Sequence, residues 1–173
     1  MRLFYALTFD EQTRRSLSHI QDSIQPLLLQ GRRSPTSNLH LTLSFLGEQD
    51  PSLLAYFTQV LQNLPNEPIS LEFSQLGMFE KSGGNIIWLG IMKSQQLSAL
   101  QSHLVATLRK FPLHFSDNPF AEHVTLFRNA HLYNLPTVQR LECSIQAICL
   151  MHSHQVQGRL TYTPLSSNYL SEK

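Results

Sequence analysis

The strongest constraint on this 173-residue chain is a short pattern that occurs twice. "NLHLTLSFLG" (38–47) alternates apolar and polar side chains, and "EHVTLFR" (122–128) begins the same way, His-x-Thr-Leu, about half a chain length later. Along a β-strand, residues i and i+2 point to the same face. Leu39, Leu41, Leu43 and Phe45 are therefore expected on one face of the first strand, with His40, Thr42 and Ser44 on the other. In the second strand Val124 and Leu126 form the apolar pair, and His123 and Thr125 the polar one. Such a sheet packs one face on helices and turns the other to solvent or a cleft. Strict alternation puts Arg128 on the face opposite His123.

The remaining segments supply the helices and further strands. Residues 2–9 read as a strand, and Asp10 can cap a helix running to about Leu29, with Pro26 kinking or ending it. "GRRSPTSN" reads as a loop. Asp50 and Pro51 mark a second helix start. Residues 69–79 and 85–91 form strands across the turn "EKSGGN". Ser94 caps a third helix to about Lys110, with Leu97, Leu100, Leu104 and Leu108 on one stripe. The loop "SDNPFAE" leads to the second histidine strand, and strands around 143–152 and 157–164 close the chain. The sum is an α+β chain of two or three helices and about seven strands, with a loose twofold echo between its halves.

Composition narrows the function classes. The formal net charge of +1 argues against a general binder of long nucleic acid, which shows a plainly basic face. A small anion or an RNA end stays compatible. Arg14, Arg15, Arg32, Arg33, Arg109 and Lys110 are expected mostly at solvated positions. The short apolar run before Asp10 is too brief for a signal peptide, and no stretch is long enough to span a membrane. Cys143 and Cys149 lie six residues apart on one strand, roughly 20 Å and beyond disulfide reach. A reducing, cytoplasmic location is expected, and nothing requires more than a monomer.

Two imidazoles flanking a phosphodiester can serve as general base and general acid, because a pKa near ~6.5 permits both roles at neutral pH. Threonine hydroxyls can donate hydrogen bonds to the non-bridging oxygens. This chemistry needs no metal. A metal reading finds no third histidine or carboxylate at a suitable spacing near either motif. His152 and His154 form a His-x-His that reads more simply as two polar positions on an edge strand. His19, His103, His114 and His131 carry no pattern and are expected at the surface.

The duplicated motif resembles the signature of the two-histidine phosphoesterase superfamily. "MRLFYAL", "RRSPTSNLHLTLSFLGE", "NPFAEHVTLFR" and "GRLTYTPL" together resemble the bacterial and archaeal RNA 2′,3′-cyclic phosphodiesterases, historically called 2′-5′ RNA ligases. The resemblance implies a bilobal α+β fold, with two antiparallel sheets around a central cleft, helices outside and a pseudo-twofold. Residues 1–173 would form one catalytic domain of two lobes, with His-x-Thr-x motifs at 40–43 and 123–126. It implies hydrolysis of RNA 2′,3′-cyclic phosphate ends to 2′-phosphates without metal or other cofactor, and in some members joining of tRNA halves through 2′-5′ linkages. His40 would be the proton donor and His123 the proton acceptor, with Thr42 and Thr125 beside them. Arg128 would contact phosphate or stack on a base. Tyr5 would stack a nucleobase or pack in the core.

Glu122 stands where members often carry proline; near the ring its carboxylate would raise the pKa of His123, and otherwise it points to solvent. The ending "YTPLSSNYL" also diverges from the usual basic-aromatic one. Two other readings remain open: phosphodiester cleavage of small cyclic nucleotides, and a non-catalytic module that holds RNA ends or nucleotides.

Overall fold

A computed structural model describes residues 1–111, 115 and 119–170; His114 lies outside the described residues. The first strand, β1 (Arg2–Phe9), is apolar without a break from Leu3 to Leu7, and both of its faces are buried. Leu3, Tyr5, Leu7 and Phe9 enter the main core, whereas Phe4 and Ala6 enter a smaller cluster on the opposite face. A continuous apolar run is what a doubly covered strand requires.

Helix α1 (Glu11–Ile24) starts where expected, because the Asp10 carboxylate accepts from the Thr13 amide at 2.8 Å. It ends in a single 3₁₀ turn over Gln25–Leu27 that contains Pro26. The segment expected to be a loop holds a strand, β2 (Gln30–Arg33), and a 3₁₀ turn at Thr36–Asn38. Its polarity hides the strand, since β2 covers an outer sheet edge instead of entering the core. The Arg33 guanidinium ties it to α1 through Ser18, Gln21 and Asp22.

The first histidine motif leads into β3 (Leu41–Glu48). A 3₁₀ turn at Pro51–Leu53 opens α2 (Leu54–Gln62). The hairpin β4 (Ser70–Phe79) and β5 (Asn85–Ile91) precedes α3 (Gln95–Leu108), which Ser94 caps and whose four stripe leucines are buried. The second motif opens β6 (His123–His131), and a long hairpin follows, β7 (Leu141–Val156) with β8 (Arg159–Tyr169).

Among the described residues the eight strands hydrogen-bond in the order β1-β3-β6-β5-β4-β7-β8, with β2 on β6 and β1 also paired to β7. One arm is β3-β1-β7-β8 and the other β2-β6-β5-β4. The arms meet at the β4–β7 ladder and at a single pair, Leu41 with Val124. That pair lies immediately after each motif histidine, so the halves converge where the two motifs stand. Hydrogen bonding is thus continuous through both antiparallel arms around the cleft. Cys143 and Cys149 are buried and unbridged on β7. Among the described residues no helix is long and apolar enough to cross a membrane.

Candidate active site

His40, Thr42, His123 and Thr125 line one cleft of about 640 Å³. Each histidine is fixed in the same way. His40 Nδ1 lies 2.7 Å from the Asn38 carbonyl, and His123 Nδ1 lies 2.8 Å from the Ala121 carbonyl, two residues upstream in both cases. A carbonyl only accepts, so Nδ1 carries the hydrogen and Nε2 of the neutral ring keeps its lone pair. His40 Nε2 is 3.1 Å from the Thr42 hydroxyl. Each ring also rests on two aromatic side chains. Phe4 and Tyr162 each stand 5.0 Å from His40 between ring centroids, while Phe79 and Trp88 stand 5.1 and 6.0 Å from His123.

Arg128 lines the same cleft, contrary to strict alternation. Thr125 pairs with Trp88 and Phe127 with Ile87, so Leu126 is an extra residue in β6. This β-bulge resets the alternation and returns Arg128 to the face of His123. The first motif carries a bulge at the same offset. Thr42 pairs with Ala6 and Ser44 with Tyr5, which leaves Leu43 extra and turns Phe45 into the cleft while Ser44 is buried. Phe45 and Arg128 therefore stand at corresponding places, five residues after each histidine.

Tyr5 is corrected to a core residue. It is fully buried on the helical side of β1, and its hydroxyl donates to the Phe57 carbonyl at 2.7 Å, so it cannot stack a base. The aromatic that β1 gives to the cleft is its neighbour Phe4. Sequence reasoning also missed Arg2, which lines the cleft with its guanidinium 4.9 Å from the Phe45 ring centre, and Lys81 from the β4–β5 turn. Strand alternation within β1 was the available signal for Phe4 and Arg2. His154 lines the cleft too, with Nε2 2.8 Å from the Thr163 hydroxyl and its ring stacked on His152 at 4.6 Å. β7 is not an edge there, since both β1 and β8 flank His152. His19, His103 and His131 are exposed, as expected.

Electrostatics in the cleft favour neutral imidazoles. Burial pushes the His40 pKa down to about 4, with the Arg128 and His123 charges adding to the fall and the Asn38 carbonyl opposing it. His123 is also lowered, by burial and then by Arg128, against the Ala121 carbonyl. Of the two alternatives for Glu122, the rise in the His123 pKa does not occur: the shift is downward, and Glu122 is not among its causes. Among the described residues no carboxylate lines the cleft, whereas Arg2, Lys81 and Arg128 do. Nor do any three described histidine, cysteine or carboxylate side chains gather as a metal site. Anion binding, proton transfer through two Nε2 atoms and hydroxyl donation are what this arrangement can perform.

Comparison with known proteins agrees with the geometry. The 2′-5′ RNA ligase superfamily profile matches residues 9–157. The RNA 2′,3′-cyclic phosphodiesterase of Escherichia coli K12 is 27% identical over 167 residues, spanning 95% of this chain and 93% of its own length. The protein of that name from Archaeoglobus fulgidus is 29% identical over 129 residues, 74% of this chain and 72% of its own length. The crystal structure of the Thermus thermophilus protein TT0787 superposes with a TM-score of 0.86 at 26% identity, covering 98% of both chains. E. coli LigT complexed with 3′-AMP gives 0.84 at 26% identity, over 99% of this chain and 98% of LigT. With a profile match across most of its length, this chain belongs to the 2′-5′ RNA ligase superfamily.

Proposed function

We propose that this protein hydrolyses RNA 2′,3′-cyclic phosphate ends to 2′-phosphomonoesters by acid–base catalysis between two histidines, with residues 1–173 working as one catalytic unit in the cytoplasm. The observation that carries the reading is the pair of imidazoles pinned through Nδ1, with both histidines lining one cleft whose described charged side chains include three cations and no carboxylate.

In this reading His123 Nε2 accepts a proton from water as the water oxygen attacks phosphorus. The bond from phosphorus to the 3′ oxygen breaks, and His40 delivers a proton to that oxygen. Arg128, Thr42 and Thr125 hold the non-bridging oxygens, where negative charge is concentrated. If a 5′-hydroxyl of a second strand replaces water, the same transfers form a 2′-5′ phosphodiester, so joining of tRNA halves requires no further group. A phosphate anion beside Arg128 favours the imidazolium form, against the burial that chiefly lowers both histidine pKa values, and so helps His40 carry the proton it must donate.

The test is incubation of an oligoribonucleotide 2′,3′-cyclic phosphate with the protein in excess chelator, resolving 2′- from 3′-phosphate. The expected result is a 2′-phosphate product from the wild type. No turnover of this substrate or of a nucleoside cyclic phosphate would leave a nucleotide-holding module as the reading.

A further inference from the structure

Past His40 and Arg128 the catalytic cleft opens into a second cavity of about 470 Å³ between β2 and the β7–β8 turn. It shares His40, Thr125, Arg128 and Tyr162 with the cleft and adds Arg32 and Arg33 on one wall and Arg159 on the other. Among the described residues no carboxylate lines it. The sheet holds its charges close together. Arg32 pairs directly with Arg128 across the β2–β6 ladder, so the two side chains leave the same face as cross-strand neighbours. Like charges in that position destabilise a sheet unless something neutralises them.

The next residue shows the contrast. Arg33 also borders the groove, but it pairs with Phe127 and its guanidinium is committed to Asp22, Ser18 and Gln21 of α1. Among the described residues neither the Arg32 nor the Arg159 guanidinium has a hydrogen-bond or carboxylate partner. In a chain of net charge +1, four arginines around one such groove, three of them without a carboxylate partner among the described residues, call for an anion.

We propose that this groove is a second phosphate subsite that takes the 5′-phosphodiester of the terminal nucleotide. The inference rests on the reading of the main cleft as the 2′,3′-cyclic phosphate site and deepens it by naming the substrate class: the end of a polynucleotide, in preference to an isolated nucleoside cyclic phosphate. A nucleotide at an RNA end carries two phosphate groups, the cyclic one and the 5′ link to the preceding residue. Adjacent strands lie about 4.8 Å apart, so the Arg32 and Arg128 side chains leave the sheet one strand spacing from each other. The first phosphate lies with Arg128 and the histidines, the second with Arg32 and Arg159, and the ribose spans the gap.

The test compares kcat/KM for adenosine 2′,3′-cyclic phosphate, its 5′-phosphorylated form and the dinucleotide ending in the same cyclic phosphate. The wild type is expected to favour the two substrates that carry a 5′ phosphate by about 10- to 10²-fold, the range of a charge-assisted contact. Arg32→Ala with Arg159→Ala should bring that ratio close to one, Arg159→Glu should lower it alone, and the salt dependence for the dinucleotide should become shallower. A wild-type ratio near one, or a ratio unaltered in the double variant, overturns the subsite while leaving the cyclic phosphodiesterase reading intact. Absence of turnover with all three substrates overturns both.

Discussion

The two histidine strands are built alike but sit in unlike surroundings. Both rings are anchored by a carbonyl two residues upstream, both face the cleft, and both strands bulge one residue past the threonine. His40 lies deeper, its Nε2 meets Thr42, and its pKa falls to about 4. His123 is lowered without that hydroxyl contact. At the bulge offset one strand presents Phe45 and the other Arg128. A duplicated backbone plan thus yields one cleft with unequal sides. The plan fixes where the imidazoles stand, and the neighbours decide how readily each takes a proton.

The sharpest test of that division is the pair of histidine variants. His40→Ala and His123→Ala should each slow turnover by about 10²–10⁴-fold, the worth of a positioned acid or base. The double variant should be little worse than either single one, because the two act as a unit. Multiplicative losses in single-turnover assays would show two independent contributions and break the pairing.

Arg128→Met comes next. It should reduce kcat/KM by about 10- to 10²-fold if the proposed charge-assisted contact to phosphate is lost. It should also move the pH profile. Burial and the arginine charge both disfavour imidazolium, so in the free wild-type protein both histidines titrate below their usual range. The product of one neutral and one protonated ring then peaks on the acid side of about pH 6.5, the ordinary histidine pKa. Removing the cation raises both values, and the kcat/KM optimum should shift to higher pH. An unmoved optimum in a pH–rate series would remove Arg128 from the electrostatics of the pair.

The threonines test the asymmetry itself. In the proposed mechanism Thr42→Val removes a hydroxyl donor together with its contact to His40, whereas Thr125→Val removes a hydroxyl donor alone. Losses near tenfold are expected for each, on the scale of one hydrogen bond to a charged group. Only Thr42→Val should displace a limb of the pH profile, and equal profiles would make the half-sites equivalent.

Gly77→Ala is the mildest change. A Cβ there would overlap the Trp88 indole that backs His123. The expected cost is about 1–3 kcal/mol in urea unfolding, with a modest loss of activity. Unchanged stability would mean that this aromatic support yields easily.

Much of the site was legible because its residues lie on strands whose period of two is written in the sequence. The helix starts were equally local: Asp10 and Ser94 bond to amides three residues ahead. What misled was also specific. Strict alternation misplaced Arg128 and Phe45, since a bulge forms where partner strands diverge and leaves no composition signal. β2 escaped because its side chains serve an edge, an α1 clamp and a basic groove instead of the core. Tyr5 illustrates the same limit, as its role depended on which face of β1 the helices would cover.

By itself the sequence determined that each histidine shares a face with its threonine, where α1 and α3 begin, and the chemistry that a pair of histidines and threonines can perform, because each follows from spacing along the chain. Only the tertiary structure decided which strands would meet, that Leu41 and Val124 would bring the histidines to one cleft, and which arginines would face it. Those outcomes depend on cross-strand register and on the bulges that reset it, and register is a relation between segments distant in sequence.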